Sequence, residues 1–128
     1  MKVNFKNNEK LYRGVKNKPR FIKRDNTITR NCFTYTGKNS NGCSFFRQMD
    51  RKNGDAVKDC LEQLKSVIDF TVSITYDSCT DANIYVEHTP SHNSKYHCDL
   101  FQNKEKDKLN DDQLEFLAIN CKIEENMK

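Results

Sequence analysis

Nowhere in its 128 residues does the chain hold a run of eighteen or more apolar residues, which excludes a membrane-spanning helix. Its opening, MKVNFKNNEKLYRG, lacks the uninterrupted apolar stretch of a signal peptide, so a cytosolic, reducing location is expected. No C-x-x-C pair occurs among the six cysteines, which stand singly at Cys32, Cys43, Cys60, Cys79, Cys98 and Cys121. Several fall at apolar phases of expected elements. They read as reduced, buried small hydrophobes rather than as a disulfide framework. The four glycines form no phosphate-cradling loop. A Pro/Gly/Ser linker and internal repeats are also missing, so residues 1–128 read as a single domain. Hydrophobic residues make up only 35% of the chain, so its core has to be lean.

Charge, by contrast, is abundant and unevenly placed. The formal net charge is +4. Residues 1–52 carry fourteen Lys and Arg against Glu9, Asp25 and Asp50, a local balance of +11. Residues 53–128 carry eight against fifteen acids, a balance of −7. A basic first half of this kind suits an anionic partner: a nucleotide, a nucleic acid or an acidic protein surface. The competing reading is that the two halves fold together and neutralise one another.

Periodicity gives the outline of an α+β fold, a small, mainly antiparallel sheet packed by two helices. LYRGV (11–15) reads as a short strand with Leu11, Arg13 and Val15 on one face. RFIKRDNTITRNCFTYT reads as extended pieces broken by Pro19 and an Asp25-Asn26 turn. TGKNSNG (36–42) is a loop by composition, and CSFFRQM a further strand. Ala56, Val57, Cys60, Leu61, Leu64, Val67 and Ile68 recur at helical spacing, predicting a helix over 54–69. Phe70, Val72, Ile74 and Tyr76 alternate with Thr71, Ser73 and Thr75 as in a half-buried strand. Two more strands follow, one with Ile84, Val86 and His88 in phase, the other with Tyr96, Cys98 and Leu100. A last helix starts near Asn110, where Gln113 stands at capping-box spacing, and turns Leu114, Leu117, Ala118 and Cys121 inward.

All three histidines fall within HTPSHNSKYHC (88–98). Pro90 and Ser91 keep this segment from being a helix, and strand phase sends His88 and His97 to opposite faces, so neither a metal nor a cofactor is expected. His97 remains a candidate base or phosphate donor, weighed against an ordinary histidine on a polar strand face. Arg13 is either a clamp on phosphate or carboxylate or one half of an internal salt bridge, for instance to Glu87. Ser44 and Arg47 in GCSFFR complete the set, although Ser44 sits in no G-x-S-x-G elbow and Cys43 lacks a nucleophile signature.

LYRGV, CFTY before a loop ending in GCSFFR, and a closing P-S-H-N-x-x-x-H together resemble a loosely defined family of small prokaryotic proteins. That family shows an early Y-R, a central F…G-x-S-x-x-R and a final P…N…H. The likeness spans about residues 11–101 and singles out Arg13, Phe33, Ser44, Arg47, Asn93 and His97, with bulky Phe45-Phe46 as a departure. It implies a small prokaryotic or phage protein of a defence, counter-defence or toxin–antitoxin system, and implies no particular reaction. YRG followed by FTYT also looks like the opening of ADP-ribosyltransferases. That second likeness implies roles for Arg13, Thr34 and Thr36, with Glu87 standing in for the family's missing E-x-E.

Overall fold

The computed structural model of the chain describes residues 4–16, 18–34, 41–63, 70–91 and 94–124. Six strands form one antiparallel sheet: β1 (Lys10–Val15), β2 (Cys43–Arg47), β3 (Phe70–Thr75), β4 (Tyr85–His88), β5 (His97–Phe101) and β6 (Lys122–Ile123). Their spatial order is β4-β5-β2-β1-β3-β6. Three helices accompany the sheet, α1 (Asn53–Gln63), α2 (Tyr76–Asp81) and α3 (Asp111–Asn120). The fold is thus α+β with an antiparallel sheet, as the alternating patterns predict. The one-turn-and-a-half α2 and the two-residue β6 are too short to leave a periodic signal.

The two faces of the sheet are settled by register. Leu11 pairs with Arg47, Phe45 with Cys98, and Cys43 with Leu100, which puts the apolar phases of β1, β2, β4 and β5 on one side. There Val15, Val72, Ile74, Val86 and Leu100 form the main core, closed by Leu117 and Cys121 at α3 and Cys79 of α2. Phe33 and Phe45 stack within it at 6.2 Å. The helix α3 begins as its sequence dictates: the Asn110 side chain accepts from Gln113 N at 2.9 Å, and Gln113 Oε1 accepts from Asn110 N at 3.0 Å. On the opposite face α1 lays Ala56, Val57, Cys60 and Leu61 against Tyr12 and Phe46.

Coverage of the central strands on both sides explains the first of three departures from the periodic reading. Thr71 and Ser73, in the polar phase of β3, are buried. The phase is right, but α1 roofs the polar side as well. Tyr76, expected to end that strand, instead opens α2. A third departure concerns RFIKRDNTITRNCFTYT. Among its described residues only the Ile22–Ile28 bridge is strand-like, and Arg30–Phe33 winds into a 3-10 turn. The Leu64, Val67 and Ile68 part of the first helix lies outside the described residues.

One end of the sheet is held by charge. Arg47, fully buried, meets Glu9 through two hydrogen bonds, Nε to Oε2 at 2.8 Å and Nη2 to Oε1 at 2.9 Å. The same guanidinium donates to Asn4 O at 3.2 Å and lies 3.8 Å above the Phe5 ring, which stacks on Tyr76 at 4.6 Å. Glu9 also accepts from Met49 N at 3.2 Å, where the chain turns with a left-handed φ of 53°. Residues 4–9 are thereby folded onto the end of the sheet, ahead of β1.

A second polar cluster ties β6 to α1. Glu124 accepts from Asn53 Nδ2 (2.9 Å), Ser73 Oγ (2.5 Å) and Lys10 Nζ (3.2 Å), while Tyr12 Oη donates to Asn53 Oδ1 at 2.7 Å. Burial acts to raise the Glu124 pKa, but these hydrogen bonds and the Lys10 charge outweigh it and leave it lowered. His88 is lowered too, by burial first and the Arg47 charge second. Its Nδ1 is buried with no hydrogen-bond partner among the described residues.

Truncating Glu9 to Ala strands the Arg47 charge in the core. Urea unfolding should show a loss of about 3–5 kcal/mol, whereas a surface pair would lose under about 1 kcal/mol. Acid sensitivity should come in two steps. With its folded pKa depressed, His88 opposes folding once pH drops below the unfolded value of about 6.5. The Glu124 contribution is present above the ordinary carboxylate range and is lost as pH falls through its lowered folded value. His88→Leu should remove the upper step alone in a stability–pH series. Finally, all six cysteines are free and buried, and burial pushes Cys32 up to about 11 and Cys60 and Cys79 up to about 12. Iodoacetamide at pH 8 should therefore modify none rapidly in the folded chain and all six after denaturation.

Candidate functional site

Two strand pairings bring Ser44 and His97 together. Ser44 lies opposite Asp99, and Phe46 opposite His97, so all four side chains share the sheet face that α1 partly covers. Beyond the end of β4 the ladder continues, with Thr89 N donating to His97 O at 2.9 Å, and so Thr89 faces His97 from the other side. The imidazole is held between these neighbours. Its Nε2 lies 3.1 Å from Ser44 Oγ, and its Nδ1 lies 2.9 Å from Thr89 Oγ1 and 3.1 Å from Thr89 O. Phe46 packs edge-on against the ring at 5.6 Å.

The acceptors around Nδ1 fix the tautomer. Thr89 O can only accept, and Thr89 Oγ1 spends its proton on Asp99 Oδ2 at 2.9 Å. Nδ1 therefore carries the hydrogen, and the Nε2 lone pair faces the Ser44 hydroxyl. Asp99 itself stands 4.0 Å from Nδ1 and acts on the ring through Thr89. Two further contacts steady the cluster. Tyr96 is pinned by the Arg51 guanidinium, 3.5 Å over its ring, and its carbonyl accepts from Arg47 N at 2.7 Å. Gly42 leaves room for the Asp99 carboxylate, because a Cβ there would lie 2.8 Å from Asp99 Cβ, Cγ and Oδ1.

The other candidates are placed elsewhere. Arg13 shares the core face with Leu11 and Val15 and donates to Cys32 O at 2.7 Å and Ser44 O at 2.8 Å. It thus touches the Ser44 main chain from the side opposite the hydroxyl. Arg47 is buried at its ion pair with Glu9. Glu87, on the same face as Asp99, pairs with Lys106 at 3.0 Å, so Arg13 and Glu87 lie on opposite faces of the sheet. Asn93 and His92, like Thr36, lie outside the described residues. His88 pairs in register with Cys98 and so faces the core side, away from His97. Among the described residues no three His, Cys, Asp or Glu side chains are grouped to hold a metal ion, and no helix is long and apolar enough to cross a membrane. A cleft of about 320 Å³ opens between Ala82, Asn83 and the start of α3, and none of Arg13, Ser44, Arg47 or His97 lines it.

The basic half of the sequence has a definite form. Between β1 and β2 the chain makes an excursion anchored by buried Ile22, Ile28, Cys32 and Phe33. It is closed by Lys23 N donating to Thr27 O at 2.9 Å, around an Asn26 with φ 67°. Lys16, Lys18, Arg20, Lys23, Arg24 and Arg30 are all exposed on it, with Asp25 as its only acid. Their described contacts are light: Arg20 over Phe21 at 4.7 Å, and an exposed Arg30–Glu115 pair at 3.5 Å.

Sequence reasoning found Ser44 and His97 but not Thr89, whose place follows only from the register of β4 against β5. Compared with family models, curated proteins and solved structures, the chain gives no significant match.

Gly42→Ala should push Asp99 aside, costing about 1–3 kcal/mol in urea melts and moving the His97 ring resonances in NMR spectra. Unchanged His97 resonances would contradict the Asp99–Thr89–His97 linkage.

Proposed function

We propose that the protein is a binding module for an extended anionic partner, a nucleic acid strand before a free nucleotide, reached through the basic excursion of residues 16–30. What carries this reading is the exposure of six cations on one anchored excursion holding a single acid. Internal neutralisation, the competing explanation of the charge asymmetry, is met in the described residues by Lys10 with Glu124 and Arg51 with Asp59, both outside the excursion. Within it, the Arg30–Glu115 pair is exposed and weak. Spread-out, exposed cations suit a row of phosphates, whereas a nucleotide is usually held in a cleft that buries most of it. A role in defence, counter-defence or toxin–antitoxin systems, implied by the family likeness, belongs to the same proposal.

Fluorescence anisotropy with a labelled single-stranded oligonucleotide tests it. If four of the cations meet phosphates, affinity should fall about fiftyfold between about 50 and 200 mM salt. Replacing Lys18, Arg20, Lys23 and Arg24 with Glu should abolish binding without changing the melting temperature. A flat salt response, or unaltered binding by that variant, would overturn the assignment.

A further inference from the structure

The geometry points to a second activity on the other face of the sheet: Ser44 is a base-activated nucleophile toward uncharged acyl esters, with His97 as its general base. Three observations converge. Ser44 Oγ is within 3.1 Å of His97 Nε2, a hydrogen-bonding distance suited to proton transfer. The hydrogen-bond acceptors at Nδ1 leave Nε2 as the unprotonated nitrogen, which is the tautomer a base requires. Asp99, acting through Thr89, supplies negative charge that stabilises the imidazolium formed when the proton moves. Ser44, His97, Thr89 and Asp99 are each only partly buried, so the group is open to a small reactant. The substrate class follows from local charge. Glu87 is paired with Lys106, whereas Asp99 leaves the cluster negative, which disfavours an anionic phosphoryl donor and favours a neutral ester.

In the reaction, Ser44 Oγ attacks the ester carbonyl carbon while its proton passes to Nε2. The tetrahedral adduct collapses with cleavage of the bond to the alcohol oxygen, which takes the proton back from Nε2. An acyl-Ser44 and a free alcohol result. Water, losing its proton to Nε2 in turn, then releases the carboxylic acid and restores the serine. Thr89 and Asp99 are positioning residues and do not touch the ester. The residues involved face α1's side of the sheet, while Ile22, Ile28 and Cys32 anchor the basic excursion in the core of the other side. Failure of either activity therefore leaves the other standing.

The test uses the intact chain and a fluorophosphonate probe, which bonds phosphorus to Oγ and expels fluoride while His97 takes the proton. Peptide mass spectrometry should place the adduct on Ser44, faster at pH 8 than at pH 5, because only the neutral imidazole acts as a base. His97→Gln should slow labelling about a hundredfold or more. Thr89→Val should slow it less, and Thr89→Ser should restore the rate, at unchanged far-UV circular dichroism. The pH dependence and the adduct position are read on the unmodified chain, so they decide the matter even if a variant fails to fold. No adduct, an adduct on another residue, or an unchanged rate in folded His97→Gln would overturn the assignment.

Discussion

Everything at one end of the sheet depends on the buried pair between Arg47 and Glu9. Removing two opposite charges from water costs several kcal/mol per ion, and only close geometry with full hydrogen bonding offsets it. Both conditions are met: two bonds under 3 Å between the ions, with Asn4 O and Met49 N taking up further capacity. Having been buried, the pair dictates its surroundings. Residues 4–9 must lie against the end of β2, and the turn at Met49 must adopt its left-handed backbone. Tyr96, whose carbonyl bonds to Arg47 N, must enter β5 at one height only. That height sets the register in which His97 faces Phe46 and comes within reach of Ser44.

The polar cluster around His97 and the basic excursion arise from different properties of the same scaffold. The cluster is a product of pairing between strands far apart in sequence, 53 residues separating Ser44 from His97. It needs a rigid sheet, since a register slip of one residue would send each of these side chains to the opposite face. The excursion needs only its apolar anchors, Ile22, Ile28, Cys32 and Phe33, to hold an otherwise solvated run of cations in place. One arrangement suits chemistry that requires a fixed proton acceptor. The other suits contact with a flexible, charged chain, where distance tolerances are loose and charge density dominates.

Much was legible locally. The alternation in FTVSIT, the helical spacing from Ala56 to Leu61 and the Asn110–Gln113 cap each specify their element, because the relevant forces act within one or two turns of chain. Arg13, Ser44, Arg47 and His97 could be singled out by type and phase. Their partners could not. Arg13 bonds to the carbonyls of Cys32 and Ser44, and main-chain acceptors carry no sequence signature. Arg47 finds Glu9, 38 residues away, which no spacing rule connects. The polar side of β3 reads as solvent-facing until α1 is laid over it.

By itself the sequence determined the longer elements, the two-faced character of strands β1 to β5, the burial of the lone cysteines and the excess of positive charge near the start. It did so because periodicity and capping are short-range, and because apolar residues leave water whatever the topology. Only the tertiary structure decided which strands are neighbours. It thereby decided that Arg47 is consumed by an internal ion pair, that Arg13 and Ser44 Oγ look to opposite faces, and that Thr89 orients His97. Those outcomes rest on register between distant segments, and register is fixed by the summed packing of the whole sheet.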